Sequence, residues 1–155
     1  MAGRPVGIIA IDPGSTTGFA IMSNHKFRAY QINLTDYPHP HEVLYDHLCE
    51  IKPTSIIYEA FLHRQGHSGV VYTGVEFIGV VCLWGQQNQV TTHKINPSDG
   101  KAFWTDVKLK ALDMYVKGIP HGMDALRVLF THLSKTNKTW SDDMIEKLRS
   151  TIRLA

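Results

Sequence analysis

The apolar positions of this chain change period several times, and each change marks an element. Val6 to Ile11 is an unbroken, largely β-branched apolar run, short enough to be a strand buried on both faces. It stops at Asp12-Pro13-Gly14, a turn signal, and resumes from Thr17 to Met22, so the two runs read as a hairpin. Phe27, Ala29 and Gln31 then alternate with Arg28, Tyr30 and Ile32, the pattern of a third, edge-like strand. The period next becomes helical: Val43, Leu44, His47, Leu48 and Ile51 share one face, and Pro53 ends it. Ser55 to Tyr58 is a second short buried strand running into Glu59.

A polar, Gly-containing stretch (His63 to Gly69) precedes Val71, Val75, Ile78, Val81 and Cys82, which keep helical spacing. Gln89 to Ile95 suits another strand. Helices are expected from about Ser98 to Val116 and from Pro120 to about Ser134, with a short amphipathic helix in the tail, Trp140 to Leu154. The order β-β-β-α-β-α-β-α-α describes a mixed, three-layered α/β fold with parallel central strands. No repeat or linker divides the 155 residues, so one domain is expected, with a core over about 6–134 and a tail over 135–155.

Composition narrows the setting. Hydrophobic residues are 43% and charged residues 19%, which is globular and not disordered. A formal charge of +2 neither requires nor excludes nucleic acid, because a local basic patch can act where net charge does not. Cys49 and Cys82 form no CxxC pair or disulfide framework, which suits a reducing cytoplasm. The longest apolar runs, such as Phe77 to Trp84, are too short for a membrane span, and no signal-peptide core opens the chain. A cytoplasmic protein without membrane partners is expected.

Three acidic residues stand where acids are unusual. Asp12 and Glu59 each end a buried strand, at the edge where α/β sheets bind ligands. On neighbouring strands they would repel each other unless a cation or a proton intervened. Asp124 falls in the first turn of the helix from Pro120, with His121 three residues earlier on the same side. Asp12 before Pro-Gly also suits an ordinary turn, and Asp124 also suits a helix dipole. Glu59 has no turn role and is a poor strand residue. Oxygen donors with few thiols or imidazoles point to magnesium or manganese. Two such ions about 3.5–4 Å apart support phosphodiester hydrolysis.

Ile9 to Ala20 (Ile-Ala-Ile-Asp-Pro-Gly-Ser-Thr-Thr-Gly-Phe-Ala) resembles the opening motif of RuvC-like Holliday junction resolvases. Ile56-Ile57-Tyr58-Glu59 resembles that family's second acidic strand, and His121-Gly122-Met123-Asp124-Ala125 its His-x-x-Asp-Ala helix. Pro97 to Lys101 resembles its Pro-x-x-x-Lys stretch. The resemblance spans roughly residues 6–134, and the short form is similar to phage-encoded members. It implies a ribonuclease H-like three-layer fold, a mixed five-stranded sheet flanked by helices, and a magnesium-dependent endonuclease for branched DNA, with manganese able to substitute. It also implies a homodimer that nicks opposite strands. By the same resemblance Asp12 would bridge two metals, and Glu59 and Asp124 would each hold one. His121 would ligate a metal or orient water, and Lys101 would lie near the scissile phosphate.

Around this set, Arg64 within His63-Arg64-Gln65-Gly66-His67 is a candidate DNA contact on a mobile loop, with a plain polar loop as the alternative. Lys94, Lys101, Lys108 and Lys110 offer a basic strip, although a solvated helix face suits Lys108 and Lys110 better. Lys135 and Lys138 with Trp140 offer a second patch. Phe61 reads as helix-packing core. His63 and His67 have zinc-pair spacing, but nothing completes a tetrahedral site and zinc is rejected. Competing readings are a flap or fork debranching nuclease, an RNA-processing nuclease of the same superfamily and a non-catalytic branched-DNA-binding module. An ATPase with an Asp-x-Gly-Thr-Thr hairpin needs a second domain and leaves Glu59 and Asp124 unexplained.

Overall fold

Three strands lead the chain in antiparallel order: β1 (Val6–Asp12), β2 (Thr16–Ser23) and β3 (Lys26–Asn33). Asn24 and His25 join β2 to β3 with left-handed φ values of 50° and 60°, the double positive φ that a tight two-residue hairpin uses. A single 3₁₀ turn (Leu34–Asp36) leads into α1 (Pro40–Ile51), which has Pro40 in its first turn. Lys52 closes α1 in the left-handed conformation, φ 52°, and Pro53 starts the next strand. The elements β4 (Pro53–Glu59), α2 (Thr73–Gln87) and β5 (Thr91–Ile95) follow. Four helices complete the chain: α3 (Pro97–Lys101), α4 (Asp106–Ala111), α5 (Pro120–Thr136) and α6 (Lys138–Arg153). This computed structural model describes residues 6–61 and 72–153.

The strands form one mixed five-stranded sheet in the order β3-β2-β1-β4-β5, with β4 parallel to both β1 and β5. Alternation along the strands sends side chains to two separate cores. Ile9, Ile11, Phe19 and Ile56 pack with Leu44 and Leu48 of α1 and Phe77, Val81 and Trp84 of α2. Ala10, Ala20, Ile57 and Ile95 pack on the other side with Met123, Leu126, Leu129, Phe130 and Leu133 of α5. Helices therefore cover both faces, as the order of elements predicted.

Two expectations need correction. The helix foreseen from Ser98 to Val116 is two short helices, because Trp104, 2% exposed, turns into the α5-side core and Thr105 leaves helical geometry at ψ 161°. Asp113, at φ 57°, then ends the second of them. The tail helix starts two residues earlier than foreseen and is part of the core, which was expected to end near residue 134: Met144 and Leu148 are buried and Trp140 lies against Phe130 at 4.9 Å between ring centroids. Among the described residues no helix is long and apolar enough to cross a membrane.

Candidate active site

The position of Asp12 and Glu59 follows from register and parity. Ala10 and Ile57 are paired and both enter the α5-side core, so two residues on, Asp12 and Glu59 face the same way. Ile11 lies beside Tyr58, which brings the two carboxyl groups together at the carboxyl edge of adjacent parallel strands. Ala60 N–H donates to the Ile95 carbonyl at 2.8 Å and holds the chain straight just past Glu59. Glu59 is buried, and burial is the main cause that pushes its carboxyl up to about 8, with the hydrogen bond to Asp12 and the charge of Asp12 adding to it. Asp12 is also raised, chiefly by burial, while the bond from Glu59 and the charge of Lys101 oppose the shift. Both carboxyl groups are thus pushed towards their protonated forms, Glu59 the further of the two.

The turn after Asp12 is built to let a helix approach. Thr17, fully buried, donates its hydroxyl to the Gly14 carbonyl at 2.7 Å and closes the loop. Gly18, the strand partner of Asp12, faces the first turn of α5, and a Cβ there would lie 1.8 Å from the His121 carbonyl oxygen. Only glycine admits this approach. The Gln31 side chain accepts the His121 backbone N–H at 3.1 Å, meeting one of the donors that a helix start leaves unpaired. His121 Nδ1 then reaches Asp12 Oδ2 at 3.0 Å.

Asp124 completes the group from one turn further along α5; no acid lies in the first turn itself, so the helix-dipole explanation falls away. Its Oδ1 accepts from Arg127 Nη1 at 2.7 Å, and its Oδ2 pairs with Lys101 Nζ at 3.0 Å. Lys101 ends α3, whose Gly100 sits close against α5: a Cβ there would be 3.0 Å from Thr131 Oγ1. Burial works against the Lys101 charge, but Asp124, Glu59 and Asp12 outweigh it and hold the ammonium above its usual range. Asp12, Glu59 and Lys101 line one open cleft with Pro13, Phe61 and Ile78.

Phe61 corrects an expectation. It is 38% exposed and stands at the cleft wall, outside both cores. Lys94 lies on the exposed edge strand, on the same side as Thr92, whose methyl packs against Gly85 of α2, so it occupies the face opposite the carboxylates. Lys108 and Lys110 sit over the rings of Phe103 and Tyr115, while Lys135 and Lys138 pair with Asp99 and Asp142. Arg64, with His63 and His67, lies outside the described residues. Sequence reasoning missed Arg127, Asp106, Gln31 and the packing role of Gly18. Arg127 alone carried a readable signal, its i, i+3 spacing from Asp124.

Among the described residues, no three His, Cys, Asp or Glu side chains already converge in ligand geometry. The donor set nonetheless suits a hard divalent cation. Two carboxyl groups touch and are raised chiefly by burial, and an ammonium sits where three carboxylates converge electrostatically. Asp124 is the ligand candidate held back, engaged by two cations.

A mixed sheet in the order β3-β2-β1-β4-β5 with helices on both faces is a fold of the kind seen in solved RuvC structures. Among solved structures, the chain is similar to Thermus thermophilus RuvC in complex with a Holliday junction substrate. That match has 17% identity and a TM-score of 0.61, covering 86% of this chain and 97% of that one. A second Thermus thermophilus RuvC structure matches at 18% identity and TM-score 0.53, covering 83% and 95% respectively. The yeast mitochondrial Holliday junction resolvase Ydc2 matches at 12% identity and TM-score 0.54, covering 98% of this chain and 86% of its own. No protein-family model matches the chain, and no curated protein matches it significantly in sequence.

Proposed function

We propose that this chain is a divalent-metal-dependent endonuclease that cuts branched DNA, and that four-way junctions are its substrate. The observation that carries the reading is the abutting Asp12–Glu59 pair at the carboxyl edge of a RuvC-like sheet. Two buried carboxylates in contact are unfavourable until a cation joins them, and a cleft open to solvent leaves room for a phosphate beside it.

Asp12, Glu59 and Asp124 would hold the ions, with Asp12 shared between them. The chemistry that bound magnesium or manganese supplies here is Lewis-acid stabilisation of the charge that builds at the phosphate. His121 is anchored to Asp12 through Nδ1, which leaves Nε2 to accept a proton from the attacking water or to assist Asp124 as a ligand. Lys101, kept charged by the surrounding carboxylates, neutralises a non-bridging phosphate oxygen. Arg64 would contact a backbone phosphate further out and make binding fall with salt. Paired nicks need two such sites. A homodimer through the exposed side of α2, where Val75, Gly79 and Leu83 face outwards, would supply them.

The test is cleavage of labelled four-way, forked, flapped and linear duplex DNA, and of structured RNA, with magnesium and with EDTA. Paired symmetric nicks in the four-way junction, lost in EDTA, are expected. Cuts confined to flaps or forks would keep the chemistry and change the substrate. Cleavage of RNA alone would point to RNA processing. Tight junction binding with no cleavage under any metal would make the chain a binding module.

A further inference from the structure

The two cations on Asp124 are not equivalent. Arg127 is 12% exposed and bound at three points: Nε donates to the Trp104 carbonyl at 2.8 Å, Nη1 to Asp124 Oδ1 at 2.7 Å, and Nη2 pairs with Asp106. Its acceptors come from α5 itself, from the Trp104 turn and from the start of α4, so each nitrogen of the planar guanidinium is held from a different side. Lys101 is 53% exposed, and among the described residues its one ion pair is with Asp124 Oδ2 at 3.0 Å. Releasing the lysine breaks one solvent-screened contact, whereas releasing the arginine breaks three and strands a largely buried charge.

We propose that Arg127 is a positioning residue that fixes Asp124 through Oδ1, and that Lys101 is an exchangeable stand-in cation on Oδ2 that a divalent metal must displace. This rests on the metal-dependent reading above and adds to it an order of events at one carboxylate. Asp124 offers a single oxygen to the metal, because Arg127 retains the other. Lys101, once displaced, is released towards the cleft it shares with Asp12 and Glu59. The metal-free protein is protected from its own clustered acids by that lysine.

Simple electrostatics and positioning make opposite forecasts for one substitution. Both side chains are positive and near the site, so on charge alone removing either should tighten metal binding. If Arg127 positions Asp124, its removal should weaken binding although repulsion falls. The experiment is manganese titration of the full-length protein without DNA, by calorimetry and by water-proton relaxation, together with thermal melts. Lys101→Met is expected to tighten manganese binding about threefold to fivefold, the scale of one exposed ion pair. Arg127→Met is expected to weaken it about 10- to 100-fold, the usual effect of losing a ligand's supporting partner. Should Arg127→Met fail to fold, Arg127→Lys keeps the charge without the three-point brace and is expected to weaken binding as well. Tighter binding by Arg127→Met, wild-type affinity in Arg127→Lys, or no gain from Lys101→Met would overturn the proposal. Absence of manganese binding by the wild-type protein would instead overturn the metal-dependent reading on which it rests.

Discussion

The two faces of the sheet end differently at the same edge. On the α1/α2 side the last strand residues are Ile11 and Tyr58, packed in an apolar core whose polar atoms are paired within it. Tyr30 Oη meets His47 Nε2 at 2.8 Å, and Trp84 Nε1 donates to Cys49 Sγ at 3.2 Å. One residue further on, the α5 side presents Asp12 and Glu59, desolvated and in contact. The first face pairs these buried polar groups with neutral partners. The second sets two acids against each other, and sequences tolerate such a conflict where function requires it. The consequence is a division of labour: one face should respond to mutation in stability, the other in chemistry.

The largest expected effect is on the charged face. Asp12→Asn should lower junction cleavage on the order of a thousandfold or more, the scale for losing one preorganised electrostatic group. Its melting temperature in EDTA at alkaline pH should equal or exceed that of the wild type, because a repelling pair becomes a neutral contact. Cleavage at the wild-type rate would remove Asp12 from the site. The counterpart on the sealed face is Leu48→Ala. Leu48 is fully buried near the end of α1, which leads into the start of β4 and so lies at the strand edge away from the carboxylates. Chemical denaturation should show a loss of about 2–5 kcal/mol, while the folded fraction keeps its turnover and manganese affinity. A turnover loss beyond the unfolded fraction would show that the two faces are coupled.

Gly18→Ala probes the join between stability and chemistry. The added methyl meets the His121 carbonyl, backbone that cannot swing aside, so α5 must shift at its first turn. We expect a loss of about 1–3 kcal/mol from overpacking, smaller than for Leu48→Ala, yet with a clear drop in kcat, because His121 and Asp124 move together away from Asp12. If kcat is unchanged in the folded protein, the helix start does not set the site's geometry.

This contrast also explains what was legible beforehand. Strand and helix order followed from periodicity, and the strand-end acids stood out because Glu59 has no local reason to be where it is. The split of the expected third helix was hidden: Trp104 looks like any helical apolar residue, and only its insertion beside Phe130 breaks the run. Phe61 was misplaced for the same reason, since an aromatic in sequence does not declare whether a core or a cleft receives it. The braces were harder still. Gln31 lies on β3, far along the chain from the helix start it holds, and Arg127 acts through a carbonyl and an acid from two other segments. Long-range polar partners leave no periodic trace.

The smallest expected effect has opposite signs on the two faces. Glu59 in the metal-free protein has its carboxyl raised to about 8 against an ordinary value of 4.5, mainly by burial. Between those values the folded state holds a proton that the unfolded state has lost, so stability falls as pH rises from about 4.5 to about 8. Asp12, raised for the same leading reason, adds in the same direction, while Lys101 opposes it. On the sealed face, burial lowers His47 below its ordinary 6.5. There the unfolded state binds the extra proton, so stability falls as pH drops below about 6.5 and is fully present above it. The check is denaturant unfolding in EDTA across pH 4.5 to 8, comparing the wild type with Glu59→Gln and with His47→Gln. The Glu59→Gln difference should grow in the mutant's favour as pH rises, and magnesium should cancel it by stabilising the wild type. The His47→Gln difference should move in the mutant's favour as pH falls below 6.5, without response to magnesium. Equal slopes for the two variants would mean that the carboxyl edge is no more strained than the interior behind it.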